Sequence, residues 1–230
     1  PSSYRNPIYW QTTVSEASNI LSLGYMVAGK KWDAKDKKLF KNPFAQYVKL
    51  ETDFRKTWQV GDHSQLVAHF NGGVIWAYGN STYAPYSEQF YVGGANSIRA
   101  FNVRSIGPGA YFTDKAKMSF MDQTGDIKLL ANLEYRPRLF GNLYGAVFLD
   151  AGNIWALKDD GVRENSQFKI KNVLKQTALG TGIGIRYDLD FFVLRLDWGI
   201  GLHVPYKNGL YNMSGFGNSQ SIHFAIGYPF

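Results

Sequence analysis

Residues 91–111 read YVGGANSIRAFNVRSIGPGAY, and this stretch decides how the rest of the chain is interpreted. Its paired glycines, its Asn-Ser step and its Gly-Pro-Gly step break both helix and strand patterns. It also carries bulky apolar side chains and two arginines, which are unexpected in a purely solvated loop. Long loops in compact proteins are usually functional or disordered, and this composition argues against disorder. We therefore predict a long loop that folds back onto the protein, with Arg99 directed at a buried acidic partner.

The remaining sequence alternates between apolar and polar side chains in a way that predicts about eight β-strands. The predicted strands are 8–17, 47–55, 65–78, 126–138, 143–155, 178–188, 192–202 and 222–230. The connections between them alternate between long and short, and 19–43 and 79–124 are two of the long loops. Strands of about ten residues joined by short turns on one side and long loops on the other are typical of outer-membrane β-barrels.

The composition is compatible with a membrane barrel. No apolar run approaches the roughly 18 residues of a membrane helix, which excludes helical spanning. The mean hydropathy of -0.26 does not exclude a barrel, because alternation hides the apolar residues of its strands. The absence of cysteine excludes disulfides. Because the chain starts at Pro1 without a signal peptide, it is interpreted as a mature product or a fragment.

The net charge of +7 comes largely from lysines that cluster between residues 30 and 41. Few aromatic residues are interleaved with them, so the pattern does not favour nucleic acid as a partner. We predict a solvated loop or one that faces lipopolysaccharide.

A soluble β-sandwich or a lipocalin-like barrel would show the same alternation, with the apolar face inside and the charged face in water. Alternation and loop lengths alone leave open which face is inside. The small residues opposite the apolar face, together with the terminal Phe230, favour the membrane. The predicted fold class is therefore all-β, an antiparallel transmembrane β-barrel.

Several motifs extend over roughly the last 140 residues in a characteristic order. They are residues 93–101 (GGANSIRAF), 107–109 (GPG), 134–136 (EYR), 148–152 (FLDAG), 194–197 (LRLD) and 226–230 (IGYPF). In this combination the chain resembles the C-terminal barrel of the BamA/TamA-type outer-membrane assembly proteins, the bacterial surface antigen family.

The resemblance implies that the long loop enters the barrel lumen and that Arg99 meets Glu134 and Asp150 on the inner wall. The implied loop motif consists of Gly93, Gly94, Ser97, Ile98, Arg99, Ala100, Phe101, Gly107, Pro108 and Gly109. Ala100 stands where the family usually has glycine, so the loop tip is expected to be strained or differently shaped. The implied C-terminal assembly signal consists of Ile226, Gly227, Tyr228 and Phe230 on the closing strand.

Family barrels have sixteen strands and follow periplasmic POTRA repeats. Residues 1–230 are expected to form a single barrel region without such repeats. A closed eight-stranded barrel is filled by its own side chains and could not hold the loop. The loop would then lie outside, two half-barrels would combine as a homodimer, or the chain would be the C-terminal half of a longer barrel. We favour the last.

No catalytic or metal-binding pattern is present in the sequence, so we expect neither enzymatic activity nor a cofactor. The predicted function is assembly, insertion or translocation of outer-membrane proteins in the bacterial outer membrane. Expected partners are nascent outer-membrane proteins, outer-membrane lipid or lipopolysaccharide, and assembly-complex subunits. A two-partner secretion pore and a passive small barrel or adhesin remain as alternatives.

Overall fold

Eight antiparallel strands form one continuous sheet in the computed structural model, which describes residues 6–113 and 122–230. The strands of this sheet, in spatial order, are β1 (Ile8–Ala17), β4 (Tyr47–Gln59), β5 (Ser64–Ala77), β6 (Ile127–Phe140), β7 (Leu143–Trp155), β8 (Ala178–Asp188), β9 (Val193–His203) and β10 (Gln220–Ile226). Each pairs with its neighbour along the chain, as expected for strands joined by hairpin connections. The prediction of an all-β antiparallel sheet is confirmed.

Two predicted elements differ from the structure. The segment 19–43, predicted to be a loop, contains helix α1 (Asn19–Val27) and a small hairpin of β2 (Lys38–Leu39) and β3 (Asn42–Pro43). The last predicted strand, 222–230, ends at Ile226, because Gly227 adopts a positive φ of 87° and turns the chain out of the strand. Part of the predicted loop 79–124, residues 114–121, lies outside the described residues.

The two faces of the sheet have inverted polarity. On β6, Leu133 and Tyr135 are exposed on one face, while Asn132 and Glu134 are buried on the other. The same holds for β9, where Trp198 is exposed and Asp197 is fully buried. We call the face with buried polar groups the inner face and the other the outer face. A soluble barrel would expose its charged face to water, so this arrangement excludes that alternative and favours an outer face in lipid.

The sheet is open at both ends of its strand order. Among the described residues, β1 pairs only with β4 and β10 pairs only with β9. This open sheet is a partial barrel, consistent with the predicted C-terminal half of a larger one. No helix within the described ranges has the length and apolar character needed to cross a bilayer.

The long segment between β5 and β6 fills the inner face. Its apolar side chains Val92, Ile98 and Ile106 are almost completely buried, together with Ile75 and Ile154 from the sheet. The main hydrophobic cluster is therefore made between the loop and the inner face. Full burial of one such aliphatic side chain contributes about 1.5–3 kcal/mol, so the loop is held by its apolar content as well as by its charges.

Candidate functional site

The loop reaches the inner face through a compact turn that its own backbone stabilises. The amide of Gly94 donates to the carbonyl oxygen of Phe101 at 2.7 Å. The amide of Phe101 donates to the carbonyl oxygen of Ile98 at 3.1 Å. Gly93 has a φ of 94°, and a Cβ there would lie 2.1 Å from the carbonyl oxygen of Asn102. Only glycine fits this position, which explains one of the paired glycines of the motif.

Arg99 lies at the tip of this turn and is completely buried. Its backbone N–H and its Nε both donate to Asp150 Oδ2 at 2.9 Å, and its Nη2 donates to Asp150 Oδ1 at 2.8 Å. Its Nη1 donates to Glu134 Oε2. The guanidinium is thus shared between carboxylates of the adjacent strands β6 and β7, in the forked geometry that makes arginine–carboxylate pairs strong and directional.

An aromatic ring lies beneath this ion pair. The guanidinium carbon of Arg99 lies 3.6 Å from the ring centroid of Phe148, which precedes Asp150 by two residues and therefore shares its face. Burial alone would lower the pKa of Arg99, but the hydrogen bonds and negative charges of Asp150 and Glu134 raise it above its ordinary value. The arginine therefore remains charged under all working conditions.

The tip belongs to a larger buried network. Glu134 also accepts from Arg136 Nε at 2.6 Å and from Arg186 Nη2 at 3.1 Å. Arg186 Nη1 lies 2.6 Å from Asp197 Oδ1, and Arg195 Nε lies 3.6 Å from Asp197 Oδ2. Four guanidinium groups thus face three carboxylates on the inner wall.

The network continues into the backbone of the loop. Arg195 donates to the carbonyl oxygen of Ala95 at 3.0 Å, and Asn132 donates both to the carbonyl oxygen of Ser97 and to Asp150 Oδ1, each at 2.8 Å. Side chains from β6, β7, β8 and β9 contact the loop or its ion-pair partners. A fifth strand, β5, joins the network through His69, which contacts Asn132 at 2.9 Å. The loop is consequently fixed in place by several strands rather than by one pair.

A second anchor holds the Gly-Pro-Gly arm of the loop. The amide of Gly109 donates to the carbonyl oxygen of Ile154 at 2.7 Å, and Asn153 Nδ2 donates to the carbonyl oxygen of Gly109 at 2.9 Å. Gly107, Pro108 and Gly109 are all buried against β7. Both halves of the predicted motif therefore lie on the inner wall.

The predicted strand 222–230 ends at Ile226, so the four residues of the implied C-terminal signal do not lie on one continuous strand. Their role as an assembly signal stays a prediction. Ile226 is exposed on the outer face, but Gly227 turns the chain inwards. The ring of Phe230 stacks on His69 with centroids 4.9 Å apart, and the ring of Tyr228 lies 4.5 Å from the guanidinium carbon of Arg136. Tyr228 and Phe230 thus contact the inner face.

Sequence reasoning gave Arg99, Glu134 and Asp150 but did not single out Arg136, Arg186, Arg195, Asp197 or Asn153 as site residues. The signal for the first four was present, because they occupy the polar parity of their strands. No group of three or more potential metal ligands occurs among the residues that the structure describes.

Comparison with known proteins gives the family. The model of the Omp85 superfamily domain matches residues 39–230. The human sorting and assembly machinery component 50 homolog is 32% identical over 114 residues, which cover 47% of this chain and 23% of that protein. The chain therefore spans about a quarter of the length of this curated relative.

Two solved structures are similar. The crystal structure of BamA from Haemophilus ducreyi lacking POTRA domains 1–3 aligns with 98% of this chain and 51% of its own, at 14% identity and a TM-score of 0.55. CdiB from Acinetobacter baumannii aligns with 79% of this chain and 27% of its own, at 17% identity and a TM-score of 0.46. The match to BamA gives the fold, and it covers about half of the BamA chain.

Proposed function

Because the chain belongs to the Omp85 superfamily, we propose that it forms part of a barrel that assembles or translocates outer-membrane proteins, with the Arg99 loop bracing its inner wall. Its location is the outer membrane, as the sequence predicts, because the proteins of this superfamily are outer-membrane β-barrels. The assembly role, the client proteins and the role of the loop are the proposal.

The observation that carries the proposal is the complete burial of Arg99 between Asp150 and Glu134. A passive pore needs an open lumen, whereas here a long loop is fixed against the inner wall by ion pairs from several strands. Removal of one member of this ion pair would leave a buried charge without its counter-charge, which lowers the free energy of unfolding by about 3–5 kcal/mol. Such a costly arrangement is expected where the position of the loop matters for the work of the barrel.

Strand addition gives the assembly role a physical mechanism. Neighbouring strands of the sheet pair through antiparallel main-chain hydrogen bonds. An extended segment of another protein can add to the edge of such a sheet in the same way. We propose nascent outer-membrane strands as the clients and no catalytic chemistry, since strand pairing needs no bond making or breaking.

The test uses the full-length protein reconstituted in lipid vesicles, with an urea-unfolded outer-membrane barrel added as client. Client folding is followed by its altered gel mobility in unheated samples. We expect Arg99→Ala and Arg99→Lys to slow client insertion at least about tenfold, because neither replaces the forked pairing with Asp150 and Glu134. The matched control is Arg104→Ala, which removes an arginine of the same loop that contacts the rings of Tyr86 and Tyr91 instead.

The folded fraction of each variant is measured on the same gels, so that loss of the barrel is distinguished from loss of activity. A folded Arg99→Ala protein that inserts clients at the wild-type rate would contradict the bracing role. A wild-type protein that fails to accelerate insertion, yet releases a soluble passenger across the vesicle membrane, would favour the secretion pore.

A further inference from the structure

The segment between β1 and β4 has the reverse of the polarity expected for a surface helix. Helix α1 turns its polar side towards the protein. The side chain of Asn19 accepts from the hydroxyl of Tyr78 at 2.8 Å, and the fully buried Ser22 hydroxyl donates to Gln46 Oε1 at 2.7 Å. Hydrogen bonds to Tyr78 and Gln46, which directly flank β5 and β4, thus fix the helix to the end of the sheet.

The opposite side of α1 is apolar and uncovered. Ile20 is 81% exposed and Val27 is 83% exposed, and Leu23 lies between them at about half exposure. Their spacing of three and four residues places the three side chains in one stripe along the helix. A helix in water would bury such a stripe, yet no described residue covers it.

The neighbouring hairpin presents a second apolar group. Phe40 is 90% exposed at the turn between β2 and β3, where it adopts a φ of 48° and Lys41 a φ of 69°. Left-handed backbone is costly for an aromatic residue and tends to be retained where it serves a function. The hydroxyl of Tyr25 donates to the carbonyl oxygen of Lys38, so the hairpin is tied to the helix.

Three of the six lysines of this segment have partners within the protein. Lys30 pairs with Asp36, and Lys35 donates to the carbonyl oxygen of Ser81 at 2.9 Å. Lys37 is buried and structural, since its Nζ donates to the carbonyl oxygen of Trp32 at 2.6 Å and to Ser22 Oγ at 3.0 Å. By contrast, Lys31, Lys38 and Lys41 are exposed and make no ion pair within the described ranges. Three cations, one shortly after α1 and two in the hairpin, are therefore available for anions from outside.

We propose that residues 19–41 form a membrane-interface element, with the α1 stripe and Phe40 at the boundary of the acyl chains and Lys31, Lys38 and Lys41 bound to lipid phosphate groups. Two observations select a lipid surface over a protein partner. The stripe lies at the rim of the outer face, because α1 starts two residues after β1, whose Val14 is exposed on that face. The lysines, which follow the helix, complement the negative charge of anionic headgroups, as basic segments next to a membrane do.

The inference rests on the outer-membrane location of the chain and is independent of the assembly role. It assigns lipid binding to the exposed lysines of residues 19–41 and places α1 at the boundary between the headgroups and the acyl chains. A purely solvated loop would have no reason to turn Asn19 and Ser22 inwards and Ile20 and Val27 outwards.

The test exploits the absence of cysteine from the chain. Val27→Cys and Phe40→Cys are labelled with a small polarity-sensitive fluorophore in the full-length protein, which is reconstituted in bilayers containing acyl-chain-brominated lipids. The matched control is Val162→Cys, which is 76% exposed in the loop between β7 and β8 at the same rim, beside the acidic residues Asp159, Asp160 and Glu164. We expect the labels at 27 and 40 to be quenched several-fold more strongly than the label at 162.

The charge component is tested by comparing bilayers with and without phosphatidylglycerol, and by the triple variant Lys31→Gln/Lys38→Gln/Lys41→Gln. Each lysine near an anionic surface favours the membrane-bound state about fivefold. The equilibrium constant for immersion of the segment should therefore fall about a hundredfold in the triple variant. Equal quenching at 27 and 162 would overturn the proposal, because a stripe that awaits a protein partner stays in water in purified vesicles. Immersion that is unchanged in the triple variant would overturn the phosphate contacts.

Discussion

Ala100 lies directly against Gly180, and a Cβ atom at Gly180 would be only 2.4 Å from the Cβ of Ala100. Next to the buried Arg99, the loop tip thus contacts β8 at a position where the sheet has no side chain. Ala100 does not have a positive φ, so the strain expected from its substitution for the usual glycine does not arise. The methyl group of Ala100 fits the space over Gly180.

This contact predicts that Gly180→Ala will displace the loop tip, because two Cβ atoms cannot occupy positions 2.4 Å apart. Overpacking of this kind costs about 1–3 kcal/mol. We expect a lower urea midpoint for unfolding in detergent micelles, and recovery in the double variant Ala100→Gly/Gly180→Ala.

The matched control is Gly145→Ala on β7, where the nearest side-chain atoms would be 3.5 Å from the new Cβ, an ordinary contact distance. Its midpoint should be close to that of the wild type. If the double variant were as unstable as Gly180→Ala alone, the proposed origin of the effect would be wrong.

The buried network predicts an unequal response of two carboxylates on the same inner face. Glu134 is fully buried among Arg99, Arg136 and Arg186, so Glu134→Gln leaves three guanidinium groups without their shared counter-charge. Breaking a buried pair in this way costs about 3–5 kcal/mol. The unfolding midpoint in urea, or the temperature at which gel mobility changes, measures this loss.

Glu51→Gln is the control, because Glu51 is about one-third exposed and its nearest cation, Lys128 Nζ, is 3.8 Å away. A partly solvated pair contributes about 0–1 kcal/mol, so this variant should unfold close to the wild type. Similar losses for the two variants would show that burial does not determine the contribution of the network.

The strands could be predicted from the sequence because their apolar and polar side chains alternate every two residues, which is a local pattern. This alternation is required when one face of a strand contacts lipid and the other faces a polar lumen. It also placed Glu134 on the polar face. The inward direction of Asp150 rested on its charge alone, because Phe148 shares its parity. In the structure Phe148 is inside as well, where its ring lies beneath Arg99.

The remaining members of the ion-pair network could not be predicted, because their contacts depend on the register between strands. Arg186, Arg195 and Asp197 belong to strands β8 and β9, and their meeting with Glu134 of β6 requires the relative position of four neighbouring strands. Helix α1 escaped prediction for a different reason. It has only nine residues, and the helical spacing of Ile20, Leu23 and Val27 covers too few turns to distinguish a helix from a loop.

Two phenylalanines near the C-terminus are expected to differ in how strongly they hold residues 227–230 against the inner face. Phe230 stacks on His69 with an interplanar angle of 10°, and the guanidinium carbons of Arg99 and Arg136 lie 5.6 Å and 5.5 Å from its ring centroid. Phe230→Ala removes the aromatic face that these groups share. We expect residues 227–230 to detach from the inner face and the amide of Gly227, which donates to the carbonyl oxygen of Val193 at 2.7 Å, to exchange its hydrogen at least about tenfold faster.

Phe224 is the matched residue, since it lies on β10 with its ring exposed on the outer face. Phe224→Ala should leave the exchange of the Gly227 amide near its wild-type rate, because no contact to the inner face is lost. Hydrogen exchange followed by mass spectrometry of the C-terminal peptide distinguishes the two variants. Faster exchange in Phe224→Ala than in Phe230→Ala would mean that the outer-face contacts of β10, and not the stacking on His69, hold the end of the chain in place.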